Sequence, residues 1–331
     1  MDNGALNDQI WLDTLAWLVR GEVGTHMALV NARFAILVDT QLLQRQWWLK
    51  ELHISEREPI GTGAEAMIVN SDGSRFSSPL PTEQLPENVV GFNRINIRYF
   101  DTEVINFLHR IRRLFSTDIS LQFDFRLTQT RGWRSMARHI WPLLKNGLIM
   151  LVNLKRLHLT RMHKYISPTV LFDCAELFQI SSTVLPESPT TYSTSPNLST
   201  RLLYNWLHTP RPDGRPVVFK LTKWKSGWEN FVNELITVVL HSCGRPGQVH
   251  VLASFDFNYT RSEQMVNTMT EEKLTLSSDV HQRPDGGFVS SVKILRCPAV
   301  FTEANVMSWL RLPRVAGEWH PNLVTIGFSD D

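Results

Sequence analysis

Residues 6–18 read LNDQIWLDTLAWL and residues 27–39 read MALVNARFAILVD, and these two runs set the fold of the N-terminal part. In the first run, apolar residues recur at helical spacing, and Asp8 can accept the free amides of the first turn. Two glycines separate it from the next apolar stripe. Three short helices carry more apolar surface than they can bury. We therefore expect this unit to dock on another domain or on a partner protein.

The composition narrows the class of protein. With 331 residues the chain has room for about two domains, and its 43% hydrophobic and 20% charged content is typical of a globular fold. A net charge of +2 is too small to predict binding to nucleic acid or membranes. The sequence has no long apolar run and no signal-peptide pattern, and its three cysteines are far apart. We expect reduced thiols and a cytoplasmic or nuclear location.

The N-terminal runs resemble an F-box. The similarity rests on a leucine start, a Leu-x-x-Leu helix, the pair Glu22-Val23 and the run LVNARF at residues 29–34. Further along, the runs IRRLF at 111–115 and WLHTPR at 206–211 are similar to those of the large nematode group of F-box proteins that carry an associated C-terminal region. The resemblance extends over nearly the whole chain.

The resemblance implies a substrate-recognition adaptor of a cullin-RING (SCF-type) ubiquitin ligase. The F-box-like helices would bind the Skp adaptor, which links indirectly to the cullin scaffold, while the C-terminal region would hold an unknown target protein. The chain would supply no catalytic group, need no cofactor, and bind neither nucleic acid nor membrane. The residues expected at the adaptor-binding face are apolar: Leu6, Ile10, Leu15, Leu18, Val23, Leu29, Val30 and Phe34.

Two residues depart from the F-box pattern, since Asn7 stands where proline is usual and Phe34 where tryptophan is usual. They leave open a second hypothesis, a protein-binding scaffold that does not engage a ubiquitin ligase. A third hypothesis, a hydrolase or transferase, would need a convergent polar cluster in a pocket, and the sequence offers none. It also contains no Gly-x-Ser-x-Gly motif, no phosphate loop and no His-Glu-x-x-His motif. His158 and His163 are expected at the surface rather than as metal ligands, and no cysteine pair has zinc spacing.

After residue 46, strand and helix patterns alternate, which predicts parallel strands joined by crossover helices. The spacing Leu154-x-x-Leu157-x-Leu159 is typical of a leucine-rich-repeat strand. An ordinary open α/β sheet is the alternative to a repeat arc. We predict an α/β fold with four parts: an F-box-like three-helix unit at 1–46, a hairpin and linker at 47–90, an irregular leucine-rich-repeat-like arc at 91–255, and a C-terminal β-hairpin with a tail at 256–331.

Local patterns predict the individual elements. Asp101 is expected to cap a helix, and a helix at 133–145 is expected to be kinked near Pro142. Another helix is expected to begin at Ser167-Pro168. Asp285-Gly286 predicts the turn of a hairpin. The predicted strands are 47–54, 66–70, 94–99, 119–125, 153–159, 177–181, 217–221, 249–255, 273–276, 288–297 and 323–326.

Two basic clusters remain to be interpreted. Residues 109–113 read HRIRR and are expected on a helix, and Lys155-Arg156 lies near Arg161 and Lys164. Each cluster is either a rim that binds an acidic partner or the solvated outer face of a helix. The Ser/Thr/Pro-rich run at 187–200 is interpreted as an exposed loop, with phosphorylation at its Ser-Pro pairs as the alternative.

Overall fold

The chain is a mixed α/β protein built on a mostly parallel β-sheet, which confirms the α/β part of the predicted fold. None of the described helices is both long enough and apolar enough to cross a bilayer. The computed structural model describes residues 8, 10–13, 30, 32–44, 46–59, 62–69, 75–124, 130–186, 198–209, 211, 217–221, 249–255, 263–267, 272–282, 288–298 and 322–326.

Thirteen strands of the described residues form the sheet. Their order across it is β10-β11-β12-β9-β8-β7-β6-β5-β13-β4-β1-β2-β3. All neighbours from β1 across to β9 run parallel, and the strands at both ends of the sheet run antiparallel. The strands are β1 Trp47–Glu56, β2 Ala64–Val69, β3 Arg75–Pro79, β4 Val89–Ile97, β5 Ile119–Phe123, β6 Leu148–Leu154, β7 Gln179–Ser182, β8 Val217–Leu221, β9 Val249–Phe255, β10 Glu263–Asn267, β11 Glu272–Gln282, β12 Phe288–Pro298 and β13 Leu323–Ile326.

The helices mostly connect successive parallel strands. A 3₁₀ segment, Arg112–Phe115, follows the helix at Thr102–Arg110. A π-helical segment, Met136–Ile140, joins the helix at Thr130–Ser135 to the one at Trp141–Leu144. This irregularity agrees with the predicted kink, because Pro142 has no amide N–H to donate to the preceding turn. The α-helices are α1 Ala32–Gln44, α2 Thr102–Arg110, α3 Thr130–Ser135, α4 Trp141–Leu144, α5 Arg156–Tyr165 and α6 Leu198–His208.

Several local predictions are confirmed. Asp101 caps α2, and its Oδ1 accepts the Val104 N–H at 2.8 Å. The strands predicted at 217–221 and 249–255 are β8 and β9 with the same bounds. β11 and β12 pair antiparallel, as expected for the C-terminal hairpin.

The predicted strand at 153–159 is wrong. β6 ends at Leu154, whereas Leu157 and Leu159 lie in α5. The continuous apolar run at 148–152 is typical of a parallel strand buried between neighbours, and the apolar residues that follow Leu154 recur with the period of a helix. The leucine spacing at 154–159 therefore crosses a strand end and a helix start, and does not mark a repeat strand.

The helix predicted to begin at Ser167-Pro168 is also wrong, because this segment forms successive turns. Ser167 Oγ accepts the Thr169 N–H at 3.1 Å, and such local side-chain bonds compete with helix formation. Helix α6 was not predicted, since its first residues were assigned to the Ser/Thr/Pro-rich loop.

Strand β13 lies between β4 and β5, far from its neighbours in the sequence. Asn322 fixes its start: the side-chain Oδ1 accepts the Phe92 N–H at 2.9 Å, and the Asn322 carbonyl accepts the Ser120 N–H at 3.2 Å. The sheet therefore joins the segments 47–90, 91–255 and 256–331. The expected division at 90/91 falls inside β4, and β13 places the C-terminal segment between β4 and β5, the first two strands of the expected arc.

Helices α2 to α6 pack on one face of the parallel strands, because their buried side chains belong to one apolar cluster with strand residues. Residues in register on parallel strands point to the same face. The buried row on the helical face is Leu52, Ile95, Val324, Leu121, Leu151, Ile180 and Phe219. We call the opposite side the polar face, after its residues Glu51, His53, Arg94, Asn96, Gln122 and Thr325.

Candidate functional site

The N-terminal unit is described in part, and its described helical residues are 8, 10–13 and 32–44. Of the expected adaptor-binding residues, Ile10 is 58% exposed and Val30 is 59% exposed, whereas Phe34 is half-buried. The other five expected residues lie outside the described residues: Leu6, Leu15, Leu18, Val23 and Leu29.

An aromatic contact joins the two helical segments of this unit. The rings of Trp11 and Phe34 meet edge to face with centroids 4.9 Å apart. Such a pair contributes about 1 kcal/mol beyond the area it buries. Arg33 Nε also donates to Asp8 Oδ1 at 2.9 Å, but an exposed ion pair of this kind contributes little. Phe34 therefore contributes to the internal packing of the N-terminal unit.

A further apolar side chain is exposed on α1. Ile36 is 66% exposed, and Leu37 and Val38 beside it are buried. Successive residues are about 100° apart around a helix, so Ile36 points away from the side that carries Phe34. The unit thus leaves large apolar side chains uncovered on more than one side, and the resemblance assigned only some of these to the adaptor.

The polar face contains a hydrogen-bonded cluster on β1 and β4. His53 Nε2 lies 3.3 Å from Glu51 Oε2, and Asn96 Nδ2 lies 3.3 Å from His53 Nδ1. Arg94 Nη1 lies 3.5 Å from Glu51 Oε1, and the Arg94 side chain is 45% exposed. The cluster presents donors and acceptors of both charges. It is suited to binding another polypeptide.

The cluster continues toward the edge of the sheet. Glu65 on β2 accepts hydrogen bonds from Ser55 Oγ at 3.3 Å and from Ser77 Oγ at 2.7 Å. Toward the middle of the sheet, Ser120 and Leu323 are buried on this same side. The polar face is therefore most accessible over β1 to β4. Sequence reasoning missed this site because the pairing of β1 with β4 is not visible in the sequence.

His158 was expected at the surface, and the structure shows that this is wrong. Its side chain is 1% exposed and packs against the rings of Phe123 and Trp133. Its Nδ1 accepts the Lys155 N–H at 3.3 Å. Burial, together with the nearby Lys155 ammonium, lowers the pKa of His158 to about 4. His163 is half-buried.

His158 should make the fold acid-sensitive. Above pH about 6.5 the imidazole is neutral in the folded and unfolded chain, so its titration changes nothing. Between pH 6.5 and 4 only the unfolded chain takes up the proton, so the free energy of unfolding falls as the pH falls. We expect a total loss of about 3 kcal/mol from this group. Urea unfolding at a series of pH values would measure it.

The control for this prediction is His158→Asn. The Asn Oδ1 can still accept the Lys155 N–H, but the side chain carries no proton that titrates. We expect the variant to be less stable at pH 7, because it leaves a gap beside Phe123 and Trp133, and to have a flatter pH dependence below 6.5. An unchanged slope would show that other groups cause the acid sensitivity.

The described residues offer no cluster of His, Cys, Asp or Glu side chains that could hold a metal ion. Cys174 is buried, its Sγ lies 3.4 Å from the Val170 carbonyl oxygen, and burial raises the pKa of its thiol to about 12. Because the thiolate is the reactive form of cysteine, this thiol is chemically inert at neutral pH.

The two basic clusters differ in their contacts and exposure. In the first, Arg113 donates to the main-chain carbonyls of residues 85, 86, 87 and 89, and Arg110 donates to the Pro81 carbonyl at 2.9 Å. These guanidinium groups hold the segment between β3 and β4 against α2, a role that neither interpretation foresaw. In the second cluster, Lys155, Arg156 and Lys164 are exposed.

We compared the chain with protein-family models, curated proteins and solved structures, and found no match in any of the three.

Proposed function

We propose that the chain is a substrate-recognition adaptor of a cullin-RING (SCF-type) ubiquitin ligase that works in the cytoplasm or nucleus. In this proposal the unit at 1–46 binds the Skp adaptor, and the sheet region holds the target protein. The adaptor supplies no reacting group. It raises the effective concentration of a target lysine near a charged ubiquitin-conjugating enzyme.

The observation that carries the proposal is the exposure of Ile10 and Val30 beside a packed Trp11–Phe34 contact. A small helical unit that orders its aromatic residues and leaves aliphatic ones in water is typical of a surface that a partner covers. The F-box resemblance supplies the identity of that partner.

We also propose that the sheet is an irregular leucine-rich-repeat-like arc, with an ordinary open α/β sheet as the alternative. β5 to β9 follow one another across the sheet in chain order, and all are parallel. Right-handed crossovers between strands added in one direction place every helix on the same side. The polar face is then free for the target over β1 to β4.

The test is co-expression with a Skp adaptor, followed by affinity capture. We expect wild-type chain to form a soluble stoichiometric complex. Ile10→Ala with Val30→Ala should weaken capture by ~30-fold or more, because a central interface anchor contributes ~2 kcal/mol. Both side chains are exposed, so the variant should keep its fold.

Ile36→Ala is the matched control, because it removes an equally exposed aliphatic side chain that the proposal does not assign to the adaptor. Equal capture of wild type and the double variant would contradict the assigned residues. A monodisperse chain that ignores the Skp adaptor would favour the protein-binding scaffold instead.

A further inference from the structure

The charge of the chain is distributed unevenly. The 48 residues from 125 to 172 contain nine Lys and Arg residues and no Asp or Glu. Because the whole chain has a net charge of +2, the rest of it carries −7. A segment of this length without a single carboxylate is unusual in a chain whose opposite charges are otherwise nearly balanced.

Six of these nine cations lie on two neighbouring helices. The first runs from α3 through the π segment to α4, and its residues Arg134 and Arg138 are exposed one turn apart. The second is α5, where Arg156 and Lys164 are exposed on one side, two turns apart. The Trp133 and His158 rings lie 6.2 Å apart between the two helices. We call the outer side of these helices the basic face.

Cationic neighbours in and beside this face affect the protonation of His139. Burial, followed by the charge of Arg138 and the neighbouring His109, lowers the pKa of His139. Arg134, Arg138 and Lys164 take part in none of the ion pairs between described residues, which join Arg33 with Asp8, and Glu51 with His53 and Arg94. The positive potential of the basic face is therefore available to a partner.

The remaining side chains favour an acidic polypeptide over other anionic partners. Trp133 and Trp141 are buried, and the half-buried Tyr165 ring of α5 is already covered by the Arg161 guanidinium at 5.8 Å and the Lys164 ammonium at 5.4 Å from its centroid. A nucleic-acid base could stack on Tyr165 only by displacing these cations. In the described part of 125–172, Phe172 is the large apolar side chain that is exposed, and it lies in the turns after α5 rather than on the helices. Insertion into a membrane surface needs a continuous apolar side.

We infer that the basic face, centred on Arg134, Arg138 and Lys164, binds an extended acidic segment of a partner protein. Same-side residues of an extended chain are about 7 Å apart, and successive turns of a helix about 5–6 Å apart, so alternate Glu or Asp side chains can meet successive cations. As the partner class of a target-binding adaptor, this inference rests on the proposed function. The binding itself does not require the ligase.

The test measures binding of a dye-labelled peptide of alternating Glu and Ser to the full chain by fluorescence anisotropy. A peptide of alternating Gln and Ser is the neutral control. We expect the acidic peptide to bind, with an affinity that falls as NaCl is added. Arg134→Glu with Arg138→Glu should weaken binding at least tenfold.

The matched variant is Arg75→Glu with Arg98→Glu, which changes the net charge equally at exposed positions outside the basic face. We expect it to bind nearly as well as wild type. Equal losses in both variants would overturn the inference, as would tighter binding of a single-stranded RNA or of phosphatidylserine vesicles. Skp capture by the Arg134/Arg138 variant should be unchanged, so failure of the adaptor proposal and failure of this inference give different results.

Discussion

Val324→Asp is expected to prevent stable folding of the whole sheet. Val324 is fully buried and lies in register between Ile95 on β4 and Leu121 on β5. A carboxylate at this position would have only apolar neighbours, and an unpaired buried charge costs more than about 4 kcal/mol. This is a large part of the 5–15 kcal/mol that typically stabilises a domain. Soluble yield, circular dichroism and urea unfolding would measure the loss.

Thr325→Asp is the control for this change. Thr325 is the next residue of the same strand, but it points to the polar face and is half-buried. We expect this variant to fold with a small loss of stability. If both variants unfold at the same urea concentration, β13 does not lie between β4 and β5 as described.

Gly147→Ala is expected to destabilise the chain by about 3 kcal/mol or more, because no side chain can move to make room. A Cβ at this position would overlap the Phe115 carbonyl oxygen and would lie 2.8 Å from the Thr117 main-chain nitrogen. The Gly147 carbonyl also accepts the Ile119 N–H at 2.8 Å, so relief of the clash would pull β6 away from β5. Urea unfolding midpoints would measure the effect.

Two substitutions calibrate the Gly147 result. Asn146→Ala changes an exposed neighbour and should alter stability little. Gly91→Ala would meet the ring of Trp48 at 2.8 Å, but Trp48 is 48% exposed and its ring can rotate away. We expect a smaller loss at Gly91 than at Gly147. The reverse order would contradict the close approach of the two main-chain segments at Gly147.

Much of the local structure could be predicted from local signals. Asp101 lies directly before an apolar helical stripe, and its carboxylate caps α2 as predicted. The strand at 217–221 could be predicted because its apolar run is short and bounded by turn residues. The prediction failed at 153–159, where three leucines continued their spacing across the end of β6 and into α5. Leucine spacing does not show where a hydrogen-bonding pattern changes.

The candidate sites divide in the same way. The F-box resemblance assigned Ile10 and Val30 to the adaptor-binding face, and the structure shows that both side chains are exposed. The polar face could not be predicted from the sequence, because Glu51 and His53 meet Arg94 and Asn96 only after β1 has paired with β4. Identifying the basic face required both the sequence and the structure. Its charges are visible in the sequence, but their alignment depends on the packing of two helices.

From the sequence alone follow the α/β class, most strands and the capped helix α2, because backbone propensity and apolar periodicity are local properties. Only the tertiary structure decided that β13 enters between β4 and β5, that His158 is buried, and which side of the sheet stays polar. These features depend on contacts between residues far apart in the sequence, such as Asn322 with Phe92, which are 230 positions apart. Pairing across such a distance is selected by the packing of the whole sheet, since each strand satisfies its hydrogen bonds only when its neighbours are in place.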